Sequence, residues 1–284
     1  MQKCVKCLAV FFIIAWLSAP VLLAQNTADG DGIIEPGEDP QEELAKAAQN
    51  PVADLISLPF QNNTNFGYGP DDDIQNVLNI QPVIPFHLNE NWNLITRTIA
   101  PLIYQPEVVA DTGDEFGLGD INFTAFFSPK RPTKGIIWGA GPIFVFPTAT
   151  DEKLGSEKWS AGPSAVVLTI QGPWLYGALI NNVWSFAGDD DRDDVNAMLI
   201  QPFVNYNLPD GWYVVSSPII IANWEADNDD TWLVPLGGGV GTIFRIGNQP
   251  MNAQMQAFYN VEKPAVVGDW TLRFQLQFLF PRGK

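Results

Sequence analysis

Few residues in this 284-residue chain have the type and spacing to do chemistry. His87 is its single histidine, so a Ser-His hydrolase or an imidazole-based zinc site would rest on it alone. It lies next to Asn89-Glu90-Asn91, which reads as an interfacial turn. Gly237-Gly-Gly-Val-Gly241 is no nucleotide loop, because no helix follows to receive a phosphate. Asp29-Gly-Asp-Gly-Ile-Ile-Glu-Pro-Gly-Glu38 has the acidic spacing of a calcium loop, with Asp29, Asp31 and Glu38 as weak ligand candidates. Thr27 stands at its first position and no helix precedes it, so no metal is assigned. Arg97, Asp120, Arg245 and Arg273 carry more interest. Each lies in a stretch that reads as a strand, and the last three fall on its polar parity. They define either a pore constriction that selects solutes by charge or a salt-bridge network that closes a lumen. No catalytic residue and no cofactor is assigned, and the chain reads as a non-enzyme.

The elements that hold these residues follow from the rest of the sequence. Lys3 and Lys6 precede an apolar run from Leu8 to Leu17, and small or apolar residues continue to Ala24. This pattern is a secretory signal peptide, 1–24, too short for a membrane anchor. Both cysteines, Cys4 and Cys7, fall inside it, so the mature chain has no disulfide, thiol nucleophile or thiolate metal site. Removing Lys3 and Lys6 leaves 13 basic against 32 acidic residues, a net charge of −19. Nucleic acid is thereby excluded as a partner, since it demands a cationic footprint.

Residues 25–53 are acidic and contain Gly and Pro, which describes a flexible, solvated lead-in with one short helical stretch at Glu42 to Gln49. The remainder, 54–284, reads as β-structure. In Trp270-Thr-Leu-Arg-Phe-Gln-Leu-Gln-Phe-Leu-Phe280 the large apolar side chains share one parity and nearly all the polar ones the other. Ile121 to Phe127 and Met251 to Val261 repeat this alternation, as a lipid face and a polar lumen would. About twelve such segments are separated by two kinds of connection in strict alternation. Short ones include Leu88 to Asn91, Gln171 to Pro173 and Gly247 to Pro250. Longer, acidic ones include Gly69 to Asp73 and Gly188 to Asp194, and this second set holds 21 of the 32 acidic residues. Such asymmetry fits a barrel with short periplasmic turns and longer loops outside. Prolines at 82, 85, 101, 142, 163, 202, 218 and 235 oppose it, because a closed sheet has no free edge for a missing donor. Several must stand at bulges or strand ends.

Ordered motifs add a family resemblance. Gln81-Pro-Val-Ile-Pro-Phe86, Trp92-Asn-Leu-Ile-Thr-Arg-Thr98, Gly117-Leu-Gly-Asp120, Trp138-Gly-Ala-Gly-Pro142, Pro147-Thr-Ala-Thr150, and Asn223-Trp-Glu-Ala226 with Val234-Pro-Leu-Gly237 resemble the outer-membrane proteins named for a MetA pathway of phenol degradation. The likeness runs from about Leu55 onward and implies an outer-membrane barrel moving small or aromatic solutes, without catalytic residues to carry over. Pro281-Arg-Gly-Lys284 after Phe280 departs from the usual barrel ending. The sequence therefore predicts an all-β, transmembrane, antiparallel up-and-down barrel of about 12 strands in the bacterial outer membrane. The predicted function is a passive channel or uptake protein for small solutes. Its expected partners are outer-membrane lipid, the barrel-assembly machinery and the solute. A structural or surface-interaction barrel, a barrel lipid hydrolase and a soluble secreted β-domain stand as alternatives.

Overall fold

The computed structural model describes residues 40–109 and 113–281. Twelve antiparallel staves follow one another in chain order. They are β1 (Ile56–Tyr68), β2 (Asp73–Ile80 and Val83–His87), β3 (Trp92–Gln105), β4 (Glu115–Leu118 and Ile121–Pro129), β5 (Ile136–Phe146) and β6 (Lys158–Gln171). The second half comprises β7 (Trp174–Gly188), β8 (Asn196–Asn207), β9 (Trp212–Ser216 and Ile220–Asn223), β10 (Trp232–Ile246), β11 (Gln249–Glu262) and β12 (Trp270–Phe280). Each stave pairs with its neighbours, and β12 closes on β1 in register from Ile56↔Phe280 to Phe66↔Trp270. The sheet is therefore a closed barrel, and every strand edge is paired.

Three staves are broken, two of them at prolines. Pro82 interrupts β2 and Pro218 interrupts β9, as the missing N–H of proline requires. Around the first break Gln81 N donates to Pro59 O at 2.9 Å and Thr98 N to Pro82 O at 3.1 Å, so the wall stays bonded. Pro142 and Pro163 are handled differently. They stand opposite one another in the β5–β6 ladder. The β4–β5 register passes from Thr124↔Ile143 to Phe127↔Ala140, and the β6–β7 register from Ala161↔Trp184 to Ser164↔Asn181. Each absent donor thus falls in a gap toward the outer neighbour. Gly141 and Gly162 accompany them for a steric reason. A Cβ would lie 1.9 Å from Ala125 O at the first and 1.7 Å from Asn182 O at the second, so only glycine lets the adjoining backbones approach.

The two faces separate as the alternation predicts. On β12, Trp270, Leu272, Phe274 and Phe280 are exposed outward, while Arg273, Gln277 and Leu279 are buried inside. Aromatic pairs mark both rims. Trp92–Trp138 (5.8 Å between ring centroids) and Trp174–Tyr206 (4.7 Å) ring the short-turn end. Phe146–Trp159 (5.7 Å), Trp224–Trp232 (5.4 Å) and Tyr259–Trp270 (5.1 Å) ring the long-loop end. An apolar outer band between aromatic girdles is the surface a bilayer requires.

A helix, α1 (Pro40–Gln49), closes the short-turn end. Gln41-Glu-Glu-Leu-Ala-Lys-Ala-Ala-Gln49 is rich in helix formers, with Glu42 and Glu43 in the first turn and Lys46 in the last, as the macrodipole favours. Lys46 Nζ reaches Glu42 at 3.1 Å. Ala45 packs with Leu55, just before the first stave, and with Ile243 and Leu279 from the tenth and last, and Gln49 Nε2 donates to Asn207 Oδ1 at 2.8 Å. Val52 then enters the lumen beside Ile95, Phe126 and Phe203, a burial that contributes about 1.5 kcal/mol. The expectation of a flexible, solvated lead-in over 25–53 therefore needs correction for its second half. Residues 40–53 fold with the barrel because its inner wall offers apolar side chains there. The signal peptide, and the calcium-loop candidates Asp29, Asp31 and Glu38, lie outside the described residues.

Candidate pore and lumenal site

The lumen has two chemically different sides. On β11, β12, β1 and β2 many inward positions are amides, among them Asn252, Gln256, Gln275, Gln61, Asn63 and Gln81. On β3 to β8 they are largely apolar, with Ile95, Phe126, Val166, Leu175, Leu179 and Phe203 in one cluster. The amide side is internally bonded. Tyr213 OH donates to Asn252 Oδ1 at 2.6 Å, and Asn252 Nδ2 donates to Gln277 Oε1 at 3.0 Å. Tyr213 can lie there because its register partner is Gly241, where a Cβ would sit 2.2 Å from the tyrosine ring. The glycine run 237–241 thus serves packing inside the barrel. At the break in β9, Ser217 N and Oγ both donate to Gln256 Oε1, at 3.0 and 3.1 Å.

Of the four charged candidates, two project into the lumen. Arg97 projects inward from β3, and its Nη2 donates to Gln81 Oε1 at 2.6 Å. Arg273 projects inward from β12. Its Nε donates to Asn63 Oδ1 at 2.9 Å and its Nη1 to Ser217 O at 2.8 Å, with the guanidinium 4.8 Å from the Phe258 ring centroid. Neither has a carboxylate partner among the described residues: Arg97 is held by an amide, and Arg273 by an amide and a backbone carbonyl.

Asp120 stands apart and anchors a loop. Its Oδ2 accepts from Ser156 N at 2.7 Å and Ser156 Oγ at 2.9 Å, and its Oδ1 from Ala149 N at 3.2 Å. Thr150 N donates to Leu118 O at 2.9 Å, and Leu118 N to Thr150 Oγ1 at 3.1 Å. Gly117-Leu-Gly-Asp120 and Pro147-Thr-Ala-Thr150, distant in sequence, therefore form one clasp at the long-loop rim. Arg245 is exposed at the short-turn rim, where its Nη1 donates to Asn248 O at 3.3 Å. His87 also lies at that end, with Nε2 and Asp54 Oδ2 at 2.6 Å joining β2 to the segment that leads into β1.

Gln61, Gln81, Arg97, Leu179 and Gln201 form a waist between two spaces. Toward α1 lies a cavity of about 150 Å³, and toward the long loops a chamber of about 390 Å³. Ile99, Ile143, Val183, Leu199, Ile219 and Ile221 give the chamber much of its lining, with Asn122, Thr124 and Asn181 among them. A separate hollow of about 580 Å³ opens beside Pro142 and Pro163, lined by Ala140, Ala165 and Ile180. It shares Ser164, Asn181 and Met198 with the chamber, so the barrel wall between them is one residue layer thick. Sequence reasoning missed the amide partners of the arginines and the helical plug. One signal for the plug was present: Leu279 and Ile243 carry apolar side chains at lumenal parity, close to the short turns.

No known family profile matches the sequence, and no curated protein matches it. Solved structures do. The COG4313 outer membrane channel from Pseudomonas putida F1 superposes with a TM-score of 0.61 at 16% identity, over 80% of this chain and 94% of that one. The CymD monoaromatic hydrocarbon channel gives 0.46 at 10% identity, over 86% and 92%. Outer membrane phospholipase A from Escherichia coli gives 0.43 at 13% identity, over 85% and 98%. The first likeness is one of fold. With the closed twelve-stave sheet, the apolar band and the two aromatic girdles, it makes this chain an outer-membrane β-barrel.

Proposed function

We propose that this barrel is a passive uptake channel for small, largely apolar solutes, aromatic ones included. The observation that carries the reading is the chamber above the waist. An ion-conducting pore has no use for isoleucine, leucine and valine around a widening of its lumen, whereas a solute poorly soluble in water gains by leaving water there. α1 and the waist residues narrow the short-turn end, in keeping with twelve staves, which give a lumen between a filled eight-stranded barrel and an open porin. The hollow at Pro142 and Pro163 offers an apolar solute a place against the wall of that chamber. We orient the acidic loops outward and the short turns, with α1, toward the periplasm. The motifs resembling the phenol-degradation family support the aromatic class. Arg97 then sets the charge of the waist.

The test is accumulation of the hydrophobic dye N-phenyl-1-naphthylamine by intact cells that express the barrel, against cells carrying the empty vector. The lipopolysaccharide leaflet slows such dyes, so a working channel raises the initial rate severalfold. Equal rates in cells whose barrel is assembled, as judged by a folded band that shifts on boiling, would overturn the assignment.

A further inference from the structure

We propose that the waist holds a binding site for the carboxylate of an amphiphilic monoanion, such as an aromatic acid, whose apolar body lies in the chamber above. This rests on the channel reading and narrows its solute class. Among the described residues, Arg97 is the only charged side chain lining the cavity and the chamber, and Arg273 the only one lining a further space of about 170 Å³ beside Phe258. Charge within a membrane-spanning wall is costly, and here two like charges line spaces that share Ile219 and Ile221, without a carboxylate among the described residues to offset them.

The hydrogen bonds in place do not exhaust these groups. Each guanidinium has five N–H donors. Arg97 spends one donor on Gln81, and Arg273 spends one each on Asn63 and Ser217. Those amides hold the side chains in position and leave donors for a ligand, as a preformed bidentate carboxylate site needs. The geometry around them is amphiphilic in the same sense. Arg97 belongs to the waist, and Ile99, Ile219 and Ile221 continue from it into the chamber. Ile219 and Ile221 also border the space that Arg273 lines with Phe258. A ligand with one anionic end and an aromatic body would complete both surfaces. A neutral hydrocarbon would leave the arginines as they are. The acidic loops oppose this charge only at the rim, since at physiological ionic strength their field decays over about 8 Å.

The experiment uses the full chain in lipid nanodiscs and measures binding of benzoate and of benzyl alcohol, which share size and ring but differ in charge. Benzoate is expected to bind at least about tenfold more tightly. Arg97→Gln should weaken benzoate about tenfold and leave benzyl alcohol unchanged, and Arg97→Lys, which keeps the charge but loses the fork, should recover part of the loss. Equal affinity for the two ligands on the unmodified protein overturns the proposal even where a variant fails to assemble, and so does benzoate binding that ignores both substitutions. Dye uptake by intact cells is scored separately. A barrel that admits the neutral dye but does not prefer benzoate loses the carboxylate site and keeps the channel assignment.

Discussion

Met255 and Gln254 are neighbours near the middle of β11 and test the two-faced wall most directly. Met255 is 53% exposed on the outer surface, and its register partners, Val240 and Phe274, are apolar and exposed as well. Gln254 faces the lumenal cavity. An arginine at Met255 must stand at mid-height against hydrocarbon, which costs about 2 to 4 kcal/mol at a bilayer midplane. That is a shift of roughly 30- to 700-fold in the folding equilibrium. Gln254→Glu also introduces a charge, but into a polar lumen that holds two arginines, so its effect should stay within about 1 kcal/mol. Both variants can be refolded into phospholipid vesicles and unfolded in urea, followed by tryptophan fluorescence and by the cold SDS-PAGE band. If Met255→Arg unfolds with the unmodified protein, or if the two variants lose equal stability, the outward face is not in lipid and the barrel assignment fails.

The proline gap makes a second prediction: Gly141→Val places a side chain where Ala125 O already stands, 1.9 Å from the new Cβ, and should abolish the folded band, while a folded variant would show that this strand pair is looser than drawn. The orientation makes a third. With no cysteine among the described residues, Asp191→Cys should react with an impermeant maleimide on intact cells and Asn89→Cys should not, and the reverse pattern would invert the topology. The plug makes a fourth: deleting residues 40–53 should leave the heat-shifting band in place and raise single-channel conductance in a planar bilayer, and an unchanged conductance would place the resistance at the waist alone.

How far the sequence reached depends on whether a signal was local. β12, β11 and β4 were legible because side-chain parity is a property of each segment by itself, and membrane and lumen impose opposite chemistries on the two parities. The long-loop clasp was partly legible, since both of its motifs stood out, yet nothing local says that Asp120 turns to Ser156 rather than to an arginine. That choice is set by hydrogen-bond geometry across 36 residues of chain. α1 was legible as a helix but not as a plug. Its burial depends on Ile243 and Leu279, each roughly two hundred residues or more away, and its acidic composition resembles that of a solvated tail. The arginine pair was found as single residues of interest. Its coherence comes from barrel closure, which sets Arg273 on β12 opposite Asn63 on β1.

The prolines that argued against a barrel turn out to shape it. A closed sheet must supply a partner for every buried backbone group, so each proline removes a donor that only a break, a bulge or a gap can absorb. Breaks in β2 and β9 absorb Pro82 and Pro218, and both lie beside residues that hold the arginines: Gln81, which holds Arg97, and Ser217, whose carbonyl holds Arg273. The irregular backbone therefore does not merely tolerate the site. A regular β9 would commit the Ser217 carbonyl to a neighbouring strand, and the interruption frees it to turn on the Arg273 guanidinium. Gln81 keeps the lumenal parity of Asn79 and meets Arg97 through its side chain. On the opposite wall Pro142 and Pro163 do not break their staves, and the lost donors appear as two gaps flanking the pair, where the outer hollow comes within one residue layer of the chamber. Proline placement thus ties the two halves of the proposed solute path, a polar hold for a charged end and an apolar approach for the rest, to one constraint on the backbone.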